Sequence, residues 1–318
     1  MKRTALLFTM LLCCATSASS DTSKRPKILG ISSVSIVATH MPESLSYYYK
    51  VLNASQQPCD WCERMPGGAF FLGPNQMLRL DPSPPVPAHD NLILGITFKT
   101  NSVRDLRRYL VEQKIPINKH ESANRFPDNL LSLNDPEGHY IAFVEDQLQP
   151  PISTTAGQPR AFPVSNMHII HAGFIVRERA ATEHFYKDIL GFRPYWHGGM
   201  KDDQTDWVSM QVPDGTDWLE FMVNVEPNAD QRLRGIMNHI AIGVSDIHAT
   251  QKKLIEARAK LTEEPQIGRD GKWQLNLYDP DFTRVEFMEF TPVQKPCCSE
   301  FTGPHPGPQS PSKVPANP

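Results

Sequence analysis

Alternating apolar and polar residues, followed each time by an amphipathic helical stretch, divide the 318-residue chain into four similar units. In each unit a short strand leads to a helix of about 12 residues, and further short strands separated by Gly, Pro, Asn and Asp follow. The last strand of each unit is apolar with a polar interruption. The pattern predicts an α+β chain built from four βαβββ modules.

The two halves of the chain repeat each other. At an offset of 144 residues, Leu131–Glu145 (LSLNDPEGHYIAFVE) aligns with Leu275–Glu289 (LNLYDPDFTRVEFME). At an offset of 137 residues, Ile31–Lys50 aligns with His168–Lys187, and both segments end in an aromatic residue, Tyr and Lys. Internal repeats of this kind indicate two copies of one structural unit.

Composition and the limits of the repeat divide the chain into segments. We predict a signal peptide at 1–20, an N-terminal domain at 29–146, a Pro/Ser/Thr/Gly-rich linker at 147–166, a C-terminal domain at 167–292 and a Pro-rich tail at 293–318. We expect the tail to be poorly ordered, because such a composition buries little apolar surface.

The first twenty residues are typical of an export signal, with two basic residues, an apolar stretch at 5–15 and small residues before position 20. A bilayer-spanning helix needs about 20 apolar residues, so we expect a periplasmic or secreted protein without a transmembrane segment. Cys13 and Cys14 follow Leu and Cys, where a lipid-anchor signal has Gly or Ala, so a lipoprotein is the less favoured interpretation. The net charge is −3 with no basic run, which argues against nucleic acid as a partner.

Two further pairs of cysteines lie outside the signal. Cys59 and Cys62 form a CxxC motif, for which an oxidising compartment favours a local disulfide over redox catalysis. Cys297 and Cys298 are adjacent in the Pro-rich tail. Pairing with another molecule, metal capture and no role remain open for them.

Two histidines and two glutamates occupy matching positions in the third and fourth modules. His171 and His239 begin the first strand of their modules (HAGFIV and HIAIGV), and Glu220 and Glu286 lie in the last (WLEFMV and RVEFMEF). Taken singly, such residues are more often structural or solvated than ligands. If the modules pair about a twofold axis, however, the four side chains converge. Two imidazoles and two carboxylates suit Ni²⁺, Zn²⁺, Fe²⁺, Mn²⁺ or Co²⁺, and suit Ca²⁺ poorly.

The first half of the chain lacks these donors. The same offsets place Val34, Gly95 and Ala142 where the second half has its two histidines and its last glutamate, and Arg79 is the best match for the remaining glutamate. We therefore predict that the N-terminal domain holds no metal and serves as a scaffold or as a wall of the substrate pocket.

Several segments of the chain resemble the vicinal oxygen chelate superfamily, which includes glyoxalase I, extradiol dioxygenases and bleomycin-resistance proteins. They are HAGFIVRERAATEHFYKDILGF (His171–Phe192), HIAIGVSDIHATQKKL (His239–Leu254), DPDFTRVEFME (Asp279–Glu289) and DPEGHYIAFVE (Asp135–Glu145). The resemblance implies βαβββ modules paired into two open, mixed β-sheet cups. It also implies that His171, Glu220, His239 and Glu286 are metal ligands.

The four-ligand set is similar to that of bacterial glyoxalase I. This resemblance implies a lyase or isomerase in which the metal chelates two adjacent oxygens of a small substrate and stabilises an enediolate while a proton moves between carbons. A carboxylate beside the metal then serves as base. The two candidates are Glu220 and Glu286, with a slight preference for Glu286.

Two other functions remain open at this point. An extradiol, ring-cleaving dioxygenase would hold Fe²⁺ through His171, His239 and Glu286, and its four-module layout is similar to this chain with its donor-free first domain. The export signal weighs against glyoxalase I, whose glutathione adduct is a cytosolic substrate. Against it, Glu220 adds a fourth acidic ligand, and the additional histidines of extradiol enzymes have no clear match. A non-catalytic small-molecule-binding protein of the bleomycin-resistance type would not need the four donors. The sequence leaves the substrate, the native metal and the choice between monomer and homodimer open.

Overall fold

The computed structural model describes residues 24–52, 67–72, 76–83, 90–119, 130–145 and 167–308. The predicted signal peptide, the Cys59–Cys62 pair and the linker 147–166 lie outside the described residues.

The first half of the chain forms a six-stranded mixed sheet with the strand order β2-β3-β1-β4-β6-β5. Within the described ranges, two helices accompany this sheet, α1 (Met41–Leu52) and α2 (Val103–Glu112). The strands are β1 (Ile28–Ala38), β2 (Gly68–Phe71), β3 (Met77–Pro82), β4 (Ile93–Thr100), β5 (Leu130–Asn134) and β6 (Tyr140–Glu145).

The second half forms an eight-stranded mixed sheet with the order β12-β13-β14-β11-β7-β10-β9-β8. Its helices are α3 (Arg179–Glu183), which continues as a π-helical segment (His184–Ile189), α4 (Gln231–Met237) and α5 (Ile247–Glu256). The strands are β7 (His168–Ile175), β8 (Arg193–Gly198), β9 (Trp207–Gln211), β10 (Trp218–Met222), β11 (His239–Val244), β12 (Gln266–Ile267), β13 (Trp273–Tyr278) and β14 (Arg284–Glu289).

Each sheet is assembled from two modules by the same pairing. The first strands of the two modules lie antiparallel at the centre, β1 beside β4 and β7 beside β11. Each central strand is then flanked by a parallel last strand: β3 and β6 in the first sheet, β10 and β14 in the second. The predicted α+β fold with two mixed sheets is confirmed.

The two faces of the second sheet have different environments, because successive side chains of a strand point to opposite faces. Along β7, Ala172 and Phe174 face an apolar core that is shared with the helices and the first sheet. On the other face a separate apolar cluster borders an open concavity, which we call the cup. That cluster comprises Ile170, Tyr195, Trp196, Trp218, Ala241, Met288 and Phe290.

The Asp-Pro motif of the repeat builds the turn between the last two strands of each half. Oδ1 of Asp279 accepts hydrogen bonds from the backbone N–H groups of Asp281 and Thr283, and Oδ1 of Asp135 accepts from those of Glu137 and His139. An Asp side chain that bonds the backbone a few residues onward stabilises such turns locally. This local bonding accounts for the recurrence of the motif.

The C-terminal segment is ordered as far as residue 308, contrary to the prediction from its composition. Residues 293–308 pack along the second sheet, with the Phe301 ring 4.9 Å from that of Tyr195 and the Trp196 indole N–H donating to the Cys297 carbonyl over 3.2 Å. Cys297 and Cys298 form a disulfide with each other. Composition alone could not predict this order, because it arises from contacts with β8.

No helix within the described residues is both long and apolar enough to cross a membrane.

Candidate metal centre

The four predicted metal ligands lie on four adjacent strands at the floor of the cup. His239 of β11 and Glu220 of β10 are both register partners of Gly173 in β7, which lies between them. His171 of β7 and Glu286 of β14 are likewise both partners of a small residue of β11, Ala241. Each imidazole therefore reaches a carboxylate two strands away, across a residue with little or no side chain.

The polar atoms of these four side chains converge. Nε2 of His239 lies 3.0 Å from Nε2 of His171 and 3.1 Å from Oε2 of Glu220. Oε2 of Glu286 lies 3.6 Å from Nε2 of His171 and 4.0 Å from Nε2 of His239. His171, Glu220 and His239 form the tightest group, with ligand atoms within 4.8 Å of one another.

These separations fit a single divalent ion. Two ligand atoms bound at about 2.1 Å to one ion are roughly 3.0 to 3.4 Å apart for angles between octahedral and tetrahedral values. The contacts of His239 fall close to this range, whereas Glu286 lies slightly farther out. The mixed nitrogen and oxygen donor set also suits the first-row metals predicted from the sequence.

Gly173 is needed for this geometry. A Cβ atom at position 173 would lie 1.9 Å from Cε1 and 2.4 Å from Nε2 of His239. The His239 side chain is fully buried and cannot move aside cheaply. The carbonyl of Met237, 3.3 Å from Nδ1 of His239, helps to hold the ring with Nε2 pointing inwards.

The charges of the site favour deprotonated donors. Burial and the positive charge of Arg284 lower the pKa of His239 to about 4, against the opposing effect of Glu220. Burial would raise the pKa of Glu286, but Arg284 and His171 lower it to about 2. For Glu220, burial likewise raises the pKa, and the hydrogen bond with His239 and the charge of His171 outweigh it, so the pKa lies below its ordinary value. Deprotonated groups are the ones that bind metal ions.

A cavity of about 430 Å³ opens directly above the donors, and both glutamates line it. Its walls are largely aromatic and apolar, and Ser209, Asn276, Arg284 and Arg269 add polar groups. The sequence did not identify this lining, since its residues come from separated strands and from the C-terminal segment. The large apolar members are Tyr195, Trp196, Met200, Trp207, Trp218, Ile267, Met288 and Phe301.

Lys272 lies behind the wall of the cavity and has no exposed surface. Its Nζ is 4.6 Å from the ring centroid of Trp218 and 5.0 Å from that of Phe301, distances typical of cation–π contacts. Within the described residues Nζ has no hydrogen-bond partner. Burial lowers the pKa of Lys272 to about 8, although Asp270 and the two metal-site glutamates act in the opposite direction. Lysine is rarely buried in this way, so sequence reasoning had no signal for it.

A second group of donor atoms lies at the surface. Asp202, Cys297 and Cys298 offer atoms within 4.8 Å of one another. The two sulfurs are joined in a disulfide, however, and metal ions bind thiolates rather than disulfides. The structure instead bonds the two cysteines to each other, a pairing that was not among the roles left open by the sequence.

Val34, which the sequence offsets predict as the counterpart of His171 in the first half, is wrong by one residue. In the second sheet, His171 and Glu286 are register partners of the same residue on the strand between them. In the first sheet, Ser33 and Ala142 share a register partner in the same way, so Ser33 is the counterpart of His171. Val34 instead points into the apolar core on the opposite face. The register of β1 shifts at bulges, and an ungapped alignment cannot show such a shift.

The other predicted counterparts agree with the register. Arg79 and Gly95 both pair with Ser35, just as Glu220 and His239 both pair with Gly173. Within the described ranges, the groups of three close His, Cys, Asp or Glu donors all lie in residues 167–308.

Comparison with known proteins places the second half in a family. Residues 168–287 match the family model of the glyoxalase/bleomycin resistance protein/dioxygenase superfamily. This match confirms the resemblance that the sequence predicted. Lactoylglutathione lyase of Haemophilus influenzae is 27% identical over 125 residues, which cover 39% of this chain and 93% of the lyase.

Solved structures of dioxygenases share the two-sheet fold. An extradiol ring-cleaving dioxygenase from B. fuscum superposes with a TM-score of 0.58 at 16% identity, covering 89% of this chain and 76% of the dioxygenase. Homoprotocatechuate 2,3-dioxygenase from Arthrobacter globiformis gives a TM-score of 0.54 at 16% identity, covering 83% and 80%. At these identities the likeness establishes the fold alone.

Proposed function

We propose that the protein is an exported, metal-dependent enzyme that binds two adjacent oxygens of a small substrate and moves a proton between substrate carbons, in the manner of glyoxalase-like lyases and isomerases. The observation that carries the proposal is the convergence of four donor side chains at the floor of a 430 Å³ cavity. The matched superfamily and the lyase relative support it.

His171, Glu220, His239 and Glu286 are the residues that would hold the ion, with Ni²⁺, Zn²⁺, Fe²⁺, Mn²⁺ and Co²⁺ as candidates. A bound divalent ion would supply Lewis-acid stabilisation of negative charge on the substrate oxygens. The aromatic walls would surround a bound substrate and hold it against the floor of the cup. The substrate is expected to be a small molecule rather than a nucleic acid.

Of the two glutamates, Glu220 is better placed as the base. Its side chain is 14% exposed, against 3% for Glu286, so it is the more accessible from the cavity. The charge of Arg284 brings the pKa of Glu286 to about 2, which makes that carboxylate a weak base. The pKa of Glu220 is lowered by the hydrogen bond with His239 and the charge of His171, and the hydroxyl of Ser209 lies 3.4 Å from its Oε1. The geometry thus weighs against the slight preference for Glu286 that the sequence suggested.

A ring-cleaving dioxygenase is the second candidate. The observation in its favour is the likeness of both sheets to dioxygenase structures over 89% of the chain. Its three-residue site would consist of His171, His239 and Glu286. The position of Glu220, closer to His239 than Glu286 is, weighs against this site. A non-catalytic binding protein is disfavoured because four converging donors would then have no role.

Metal analysis combined with two assays distinguishes these functions. We would purify the mature protein, measure bound metal by mass spectrometry, and assay hemithioacetals of 2-oxoaldehydes for isomerisation and catechols for oxygen uptake. About one Ni²⁺, Zn²⁺ or Co²⁺ per chain with isomerisation is the expected result. Oxygen-sensitive Fe²⁺ with oxygen uptake would favour the dioxygenase. A protein that neither retains nor is stabilised by any of the five ions would contradict both.

Export is a separate part of the proposal and rests on residues 1–20 of the sequence. Expression of the full chain in a bacterium followed by N-terminal sequencing tests it. We expect a mature chain that starts close to residue 21 in the periplasm or medium. Recovery of an uncleaved chain from the cytoplasm would contradict it.

A further inference from the structure

Arg284 is a cation on the cup face beside the proposed metal ligands. It opens strand β14 and is the register partner of His239, so its side chain lies on the same face as the imidazole. Its guanidinium is 3.9 Å from Oε2 of Glu286, and it lines the cavity. The side chain is 18% exposed, which leaves it accessible to a ligand in the cavity.

Arg284 has hydrogen-bonding capacity that the described part of the protein does not use. Its Nε is buried without a hydrogen-bond partner among the described residues. On the neighbouring strand, Asn276 is the register partner of Glu286 and is 7% exposed, and its Oδ1 is likewise buried and unpartnered within the described ranges. Unsatisfied buried polar atoms are costly, and they are common where a ligand completes them. Here a donor and an acceptor flank one carboxylate in one cavity.

A bound metal ion would compete with Arg284 for its ion-pair partner, Glu286. A divalent ion would neutralise the two glutamates, and Glu286 would then no longer balance Arg284. The other cavity arginine, Arg269, already has an ion-pair partner in Asp202. Lys272 lies behind the wall of the cavity, where Asp270 acts on it. Among the described residues the ion pair of Arg284 is the one with Glu286, so metal binding by Glu286 would leave the guanidinium available to an anion in the cavity.

We propose that Arg284 binds an anionic group of the substrate, a carboxylate placed near the two chelating oxygens. Oδ1 of Asn276 then accepts a hydrogen bond from a hydroxyl group of the same molecule. This inference rests on the proposed function and narrows its substrate class to acids. Guanidinium and carboxylate match in geometry, and their charge-assisted hydrogen bonds are stronger than neutral ones. The aromatic walls suit an acid whose remaining surface is apolar.

Paired probes with and without the negative charge test the proposal. We would titrate the Zn²⁺-loaded full chain by calorimetry with 3,4-dihydroxybenzoate and 3-(3,4-dihydroxyphenyl)propionate, which differ in the reach of the carboxylate, and with their methyl esters. All four keep two adjacent oxygens. At least one acid should bind about tenfold or more tightly than its ester, because one charge-assisted hydrogen bond supplies a difference in affinity of this size. Its affinity, unlike that of the ester, should fall with added salt.

The variants separate recognition from a merely structural role. Arg284→Met should bring the acid-to-ester ratio to about one while ester affinity and zinc stoichiometry persist. Arg179→Met should keep the wild-type ratio, because Arg179 pairs with Glu183 on helix α3 and lies outside the lining of the cavity. Arg284→Lys should restore part of the preference. Equal affinity of acids and esters in the wild type overturns the subsite and leaves chelation standing. Loss of acid and ester binding in equal measure in Arg284→Met also overturns it. If the zinc-loaded protein binds none of the probes, the subsite fails, whereas the proposed function is decided separately by metal content and the hemithioacetal assay.

Discussion

The phenolic hydroxyl of Tyr186 donates a hydrogen bond of 2.9 Å to Oδ2 of Asp135 and so joins the second half of the molecule to the first. The reciprocal bond, of 3.0 Å, runs from the hydroxyl of Tyr48 in the first half to Oδ2 of Asp279 in the second. All four residues are buried. Each Tyr belongs to the aromatic-Tyr-Lys segment of the repeat and each Asp to the Asp-Pro segment. The repeat thus contains the residues through which each half holds the other.

Removing either hydroxyl should destabilise the protein. Tyr186→Phe and Tyr48→Phe each leave a buried carboxylate with one hydrogen bond fewer, and we expect each to lower the free energy of unfolding by about 1 to 3 kcal/mol. Urea denaturation followed by circular dichroism measures the change. Tyr49→Phe is the control, because Tyr49 is 57% exposed and should be neutral. Losses under about 0.5 kcal/mol for both buried tyrosines would contradict the interpretation.

Gly173→Ala should weaken metal binding without unfolding the protein. The added methyl group would overlap the His239 imidazole and turn Nε2 away from Glu220. We expect a loss of affinity for Zn²⁺ or Ni²⁺ of about 100-fold, comparable with the loss of a ligand's orienting partner. Competition with a chromogenic chelator measures it. Ser35→Ala, at the corresponding position of the first sheet, is the control and should leave affinity unchanged. Wild-type affinity in Gly173→Ala would show that His239 is not a ligand.

Glu220→Gln tests whether the site uses four ligands or three. If Glu220 binds the ion, the amide should lower affinity at least about 100-fold and abolish turnover. Glu286→Gln should cause a similar loss, whereas Glu226→Gln, at an exposed position, should cause none. Metal content after dialysis and equilibrium affinity are the measurements. If Glu220→Gln retains full metal while Glu286→Gln does not, the three-residue site of the dioxygenase candidate gains.

Stability should depend on pH through Lys272. Its pKa is about 8 in the folded protein against an ordinary value of 10.5, so between these values the unfolded chain holds a proton that the folded protein has lost. Stability contributed by this residue therefore rises with pH between about 8 and 10.5, by about 3 kcal/mol in total. The difference between wild type and Lys272→Met in urea denaturation isolates the effect from that of buried tyrosines. Parallel pH profiles for the two proteins would contradict a buried amine.

The sequence predicted those features that depend on strand periodicity and on repetition. The modules, the mixed sheets and the shared face of His171 and Glu220 follow from alternation, which survives without knowledge of the tertiary structure. Val34 was misplaced because a bulge shifts the register, and bulges depend on neighbouring strands. The same limit applies to Arg284, whose neighbour Glu286 was identified, while its own accessibility to the cavity depends on strands far apart in sequence.

The aromatic walls and Lys272 lay beyond sequence reasoning for a different reason. Trp218 was visible as an apolar strand residue, but its contact with Lys272 requires the loop before β13 and the segment after β14 to meet. The composition of residues 293–308 suggested disorder because proline and glycine were weighed without the contacts that hold them. Long-range packing of this kind leaves no periodic signal.

The segment that follows β14 brings Phe301 to the rim of the cup, where it contacts Tyr195 and Lys272. The segment therefore forms part of the cavity wall, although it belongs to neither of the two repeated halves. A protein shortened after residue 292 would thus keep the four candidate metal ligands and lose part of the wall of the cavity above them. This part of the cavity wall lies outside the repeat, so it can be changed while the four donor residues at the floor stay in place.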